Sequence, residues 1–135
     1  EMYLVDCGAT THFVNKDSDF ISIDENFNPE GHFLELADGT RSNNVAKKRG
    51  TVVISIRNRN GNFVKATLEN TLYIPSYPQC IFSVQAATQK GAKVNFKDDS
   101  AELITSDGTV FPIEQHGRLY YLYKASDERS LTLVM

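Results

Sequence analysis

Residues 51–74, TVVISIRNRNGNFVKATLENTLYI, restrict this chain more than any other stretch. Residues 51–56 are mostly β-branched, which suits a buried or half-buried strand and costs side-chain freedom in a helix. The NRNGN corner at residues 58–62 then brings an Asn-Gly pair, the two residue types best able to take the positive backbone angles of a tight hairpin turn. Residues 63–68 are the return strand and 71–74 a further one, stopped by Pro75, which lacks the amide that a central strand needs. An antiparallel pair in the middle of the chain commits the rest to covering it.

The rest arrives in short pieces. Residues 3–6 are a brief apolar run that ends in an acid, and strands are expected at 94–96, 101–105, 110–114 and 119–123, with SDG at 106–108 and HG at 116–117 as turns. Residues 81–90, IFSVQAATQK, carry the one helical pattern, with Phe82 and Ala86 four apart beside Ile81 and Val84, and it closes at Gly91. From Ala125 onward the chain starts polar and ends LTLVM, a segment that either frays or adds a strand. Many short strands with one short helix predict an all-β barrel or sandwich, and 135 residues is the size of one domain with one core.

Composition excludes several classes. No run approaches the ~20 apolar residues of a membrane span, and EMYLVD is no secretory leader. The net charge of −3 gives no general attraction to nucleic acid, and the basic knot Lys47, Lys48, Arg49 reads as a solvated strand or loop edge. Cys7 and Cys80 are too few for a disulfide framework or a zinc site, which fits a reducing, cytoplasmic setting. His12, His32 and His116 have no ligand spacing and are expected at the surface or in turns, so neither metal nor cofactor is expected.

The chemistry concentrates in YLVDCGATTHF, residues 3–13. A strand fixes the backbone of the acid that ends it, and the turn that follows exposes the side chain. Here Asp6 is that acid, while Cys7, Gly8, Ala9 and Thr10 keep the corner small enough for a second copy of the same loop to approach. Taken alone, an acid followed by a small residue and Gly is also ordinary turn chemistry. Two carboxylates held close cannot both ionise easily and come to share a proton; one then takes a proton from water while the neutral partner polarises a carbonyl. Only one such corner exists in the chain, because LADG and TSDG place Asp directly before Gly and read as hairpin turns. A two-carboxylate site therefore requires two chains about a twofold axis.

Three blocks widen the comparison: YLVDCGATTHFV, then FLELADGTRSNNVAKKRGTVVISI at 33–56, then LENTLYIPSYPQCIFSVQAATQKGAKVNF at 68–96. In this order they resemble the retropepsin-like aspartic proteases of copia-type LTR retrotransposon Gag-Pol polyproteins. The resemblance implies an acid-protease barrel with one short helix in its second half, working as a homodimer without cofactor or metal. It implies Asp6 as the catalytic carboxylate and Cys7, Gly8, Ala9 and Thr10 as the active-site loop. A flap would carry Leu36, Ala37, Asp38 and Gly39, with Thr40 near its turn, and a proline-bearing loop would add Tyr77, Pro78 and Ile81 as substrate contacts. The substrate would be the element's own Gag-Pol polyprotein, cut in cytoplasmic virus-like particles, with no membrane or direct nucleic-acid partner. Residues 1–97 would be the protease core and 98–135 a β-strand extension of the same domain, a dimer element or a segment leading toward the next polyprotein unit. The sequence departs from the family pattern at Cys7, where a hydroxyl is usual, and at Ile81, Phe82 and Ser83, where two apolar residues precede a Gly. A decayed retropepsin fold kept as a silent dimerisation or binding module is the alternative, with a nucleic-acid-binding barrel as a third reading.

Overall fold

A computed structural model describes residues 1–35 and 38–125. The expectations for Leu36, Ala37 and the LTLVM tail lie outside the described residues. Among the described residues twelve strands and one α-helix follow in order, with a single 3-10 turn at Pro29–Gly31 between the third and fourth strands: β1 Met2–Asp6, β2 Phe13–Val14, β3 Phe20–Ile23, β4 Phe33–Glu35, β5 Arg41–Asn43, β6 Lys48–Arg57, β7 Phe63–Tyr73, β8 Cys80–Ser83, α1 Val84–Gln89, β9 Lys93–Phe96, β10 Ala101–Ile104, β11 Val110–His116 and β12 Leu119–Tyr123. The all-β class with one short helix is as expected, and the Asn-Gly corner joins β6 to β7.

Ten strands form one sheet in the order β3-β6-β7-β2-β8-β1-β12-β11-β10-β9. Only β1 with β8 and β2 with β7 run parallel. The sheet curls until β12 reaches β6: Ile56 bridges Lys124, and the Ala125 amide donates to the Ser55 carbonyl at 2.8 Å. The path β6-β7-β2-β8-β1-β12 therefore returns on itself as a barrel, with β11, β10 and β9 extending beyond β12. Strand alternation fills the interior: Tyr3 and Val5 point in from β1, Val52, Ile54 and Ile56 from β6, Leu103 from β10, Phe111 and Ile113 from β11, and Leu122 from β12. At the closing seam the Lys124 ammonium is buried between Asp19, at 2.7 Å, and Glu1, at 3.3 Å. Burial pushes the neighbouring Tyr3 phenol above its ordinary range, with Cys80, Asp19 and Glu1 adding to the shift.

The two strands expected at 63–68 and 71–74 are one long strand with a kink. Gly50 pairs with Thr71 and Val52 with Leu68, so β7 holds one extra residue there, and Asn70 takes φ 53°. An extra residue reverses which face each side chain occupies. Leu68 belongs to the barrel core, whereas Leu72 and Ile74 join Ala46 in a second cluster on the other face, packed by Phe13, Phe27, Leu34 and Val45. That cluster anchors the β4–β5 hairpin through Leu34.

The helix is shorter than residues 81–90. Cys80, Ile81, Phe82 and Ser83 are a fully buried strand beside β1, and α1 begins only at Val84, with Ser83 as its N-cap. Four consecutive buried residues satisfy a strand covered on both faces as readily as one side of a helix, and pairing with β1 decides between them. The helix ends before Gly91, whose φ of 91° reverses the chain toward β9.

Candidate active site

Asp6 closes β1 on the face opposite Tyr3 and Val5, half-buried, with its Cα in register with Ser83 of β8. The Gly8 amide donates to Asp6 Oδ1 at 2.8 Å, so the turn folds back onto the carboxylate that precedes it. A Cβ on Gly8 would stand 3.3 Å from that oxygen, tighter than ordinary contact. Cys7, Gly8 and Thr10 are exposed and Ala9 is half-buried, so the corner offers a small, open rim around one charged group.

Both flanks of the corner are tied down. On one side the Thr11 hydroxyl donates to the Asn70 carbonyl at 2.8 Å and the Leu72 amide to the His12 carbonyl at 3.0 Å, which fastens the corner to the kink in β7. On the other side the Ser83 amide donates to His12 Nδ1 at 2.9 Å, and the Ser83 hydroxyl donates to the Ala9 carbonyl at 2.7 Å. The same hydroxyl accepts from the Ala86 amide, capping α1. His12 is thus no surface or turn histidine: it is 5% exposed, its ring 4.8 Å from that of Phe82, and desolvation lowers its pKa to about 4. Its alternation with Val14, also buried, is a signal that the sequence carries.

The β4–β5 hairpin and the loop from Pro75 to Pro78 are joined to the strand after the corner through Phe13. Phe13 packs in the cluster that holds Leu34, and its ring meets Tyr77 edge-on at 5.1 Å. Asn15 Nδ2 donates to the Tyr77 carbonyl at 3.1 Å, and the Tyr77 amide donates to the Ile74 carbonyl across Pro75. Tyr77 and Pro78 are exposed. Ile81 is fully enclosed, at 0% exposure, paired with Leu4 on one side and Phe13 on the other; its side chain stands behind the site and lines no open surface. At the hairpin tip Thr40 donates both its amide and its hydroxyl to Asp38, which holds the Asp38 carboxyl below its ordinary range, and Gly39 takes φ 88°. Of the residues that brace the corner, Phe13 is not singled out in the sequence, His12 is expected from it at the surface or in a turn, and Ser83 stands out only as a departure from the family pattern.

A cavity of about 510 Å³ lies off to one side between β7, α1 and the β10–β11 turn. Thr10, Thr11 and His12 close its near end; Asp6 does not line it. Lys90 and Glu69, 3.1 Å apart, form an ion pair on its wall. Among the described residues no group of three or more His, Cys, Asp or Glu is placed to hold a metal, and no helix is long and apolar enough to cross a membrane.

Residues 3–92 match the family model described as Pol polyprotein, beta-barrel domain. No curated protein matches the chain.

Proposed function

The chain belongs to the Pol polyprotein beta-barrel domain family, and from that premise we propose that it is an aspartic endopeptidase of a copia-type element, acting as a homodimer. The observation that carries the reading is the Asp6 corner: one carboxylate at the end of a strand, its Oδ1 held by the Gly8 amide, within a rim of small residues. One carboxylate with a full charge activates water but leaves the scissile carbonyl unpolarised. A second copy docked corner to corner supplies the missing acid, and repulsion between the two makes them share a proton. The charged member then draws a proton from water while the neutral one hydrogen-bonds the carbonyl, which cleaves an amide without a covalent intermediate.

The substrate proposed is the element's own Gag-Pol polyprotein, processed in cytoplasmic virus-like particles. An extended peptide would lie between the Asp6 floor and the β4–β5 hairpin, with Asp38 and Gly39 at the hairpin tip and Tyr77 and Pro78 at one side. The hairpin is a separate two-stranded sheet rooted through Leu34, so it is free to gate entry. The test is Asp6→Asn in the full chain incubated with a peptide spanning a polyprotein junction. Cleavage should fall by about 10²–10⁴; cleavage at the unmodified rate removes Asp6 from the mechanism.

One observation favours the binding side of a second reading, a silent dimerisation or binding module on the same fold. Both edges of β1 are taken within the chain, by β8 and β12, so the strand that carries Asp6 offers no free edge to pair with a second copy. A chain that stays monomeric at micromolar concentration and cuts no Gag-derived peptide would decide for that reading.

A further inference from the structure

Asp6 and Ser83 are register partners in the parallel pair of β1 and β8, and Ser83 is the last residue of β8. Its amide is taken by a side chain, His12 Nδ1 at 2.9 Å. Its hydroxyl is committed both ways: it donates to the Ala9 carbonyl at 2.7 Å and accepts from the Ala86 amide at 3.0 Å. Ser83 is 0% exposed and His12 5% exposed, so neither group has water as a substitute partner. Between them they fix Ala9 and His12, the middle and the far end of the turn that begins at Asp6. A helix cap alone requires only the Ala86 bond; the bonds to Ala9 and His12 contribute nothing to α1. Resting on the reading of Asp6 as the catalytic carboxylate, we propose that His12 and Ser83 are positioning residues, a clamp that fixes the Gly8 amide and with it the Asp6 carboxylate at the height where it meets its twin.

The clamp has a stated chemical condition. An imidazole accepts at Nδ1 only while its proton sits on Nε2; a second proton turns both nitrogens into donors and opposes the Ser83 amide. The ionisable groups around it are Asp6 on β1, Lys65 and Glu69 on β7, Lys90 on α1 and Asp107 in the β10–β11 turn, the last four lining the cavity that His12 also lines. Burial, and none of these charges, is what holds the ring's pKa down to about 4. The clamp therefore stays closed through the mildly acidic range in which a proton-sharing dyad works.

The experiment uses the full chain. His12→Asn places an amide oxygen near the position of Nδ1 and does not titrate, whereas His12→Phe keeps a ring without an acceptor. On a junction peptide, His12→Phe should lose kcat at least tenfold with KM within about twofold, and His12→Asn should keep kcat within about threefold. The low-pH limb of wild-type kcat should be steeper than a single protonation, and that of His12→Asn should fall to one. Wild-type kcat in His12→Phe, or equal losses in both variants, overturns the clamp. Amide exchange reads the same question in a chain that cuts nothing: Ser83 and Gly8 should exchange at least tenfold faster in His12→Phe while the β6–β7 amides hold. Should that variant not fold, the wild-type protection factor of the Ser83 amide, taken against the intrinsic rate at each pH, should fall as His12 titrates between about pH 5 and 3 while the β6–β7 amides hold; unchanged Ser83 protection in either measurement overturns the proposal. Asp6→Asn decides the catalytic reading separately, since it leaves His12 and Ser83 in place.

Discussion

Gly8 donates its amide to Asp6 and leaves 3.3 Å for a Cβ it does not have, so Gly8→Ala should push the carboxylate aside at little cost to folding. We expect a loss of at least about tenfold in peptide cleavage with a destabilisation of about 1 kcal/mol or less, read by activity and by thermal unfolding. His12 makes a different prediction, on stability against pH. Its folded pKa is lowered from 6.5 to about 4, so the unfolded chain binds the proton first. Its contribution is fully present above pH 6.5, is lost as pH falls from there to about 4, and then levels off, roughly 3 kcal/mol across that window. His12→Asn should flatten the window, which denaturant unfolding at stepped pH will show. The place of Asp6 at the end of β1 was legible because a lone acid closing a strand before a small Gly turn is visible in one line of sequence. The buried place of His12 was not, because its bond is to Ser83, 71 residues away, and no local pattern reports a bond of that separation.

Elements were read well wherever turn chemistry marks them. The Asn-Gly corner and the turns at Gly108 and Gly117, with φ 88° and 64°, bound β6, β7, β10, β11 and β12 within a few residues of the expected limits. Two features escaped for the same reason: they are settled by a neighbour. Ile81 and Phe82 are as apolar as a helix face requires, and only the ladder with β1 makes them strand. The extra residue in β7 leaves no trace in composition, yet it sends Leu72 and Ile74 outward to carry the β4–β5 hairpin. The strand edge opposite has an equally strict demand, since a Cβ on Gly50 would lie 2.1 Å from the Ser22 carbonyl. Gly50→Ala must therefore part β3 from β6 and should cost about 1–3 kcal/mol in chemical denaturation, with the loss of β3 amide protection ahead of β6.

The molecule as a whole depends on one seam. Lys124, 6% exposed, sits between the carboxylates of Asp19 and Glu1 where β12 meets β6. Lys124→Ala leaves Asp19 enclosed without that cation and should cost about 3 kcal/mol, whereas Lys124→Met should cost clearly less, because removing one partner of a buried pair is worse than replacing its volume. Unfolding midpoints in denaturant will rank the two. Association belongs to this scale too. A single chain should scatter with a radius of gyration of about 14 Å, and the homodimer reading requires a larger value together with a melting temperature that rises with protein concentration. The closure has a further consequence in time. Met2 pairs with Tyr123 and Tyr3 with Leu122, so the strand bearing Asp6 is among the first made and its last flanking neighbour is among the last. A chain still leaving the ribosome holds its acid on an unfinished stave. On the proposed reading of Asp6 as a catalytic acid, cutting would have to wait until β12 has been synthesised, which would spare the nascent polyprotein until then.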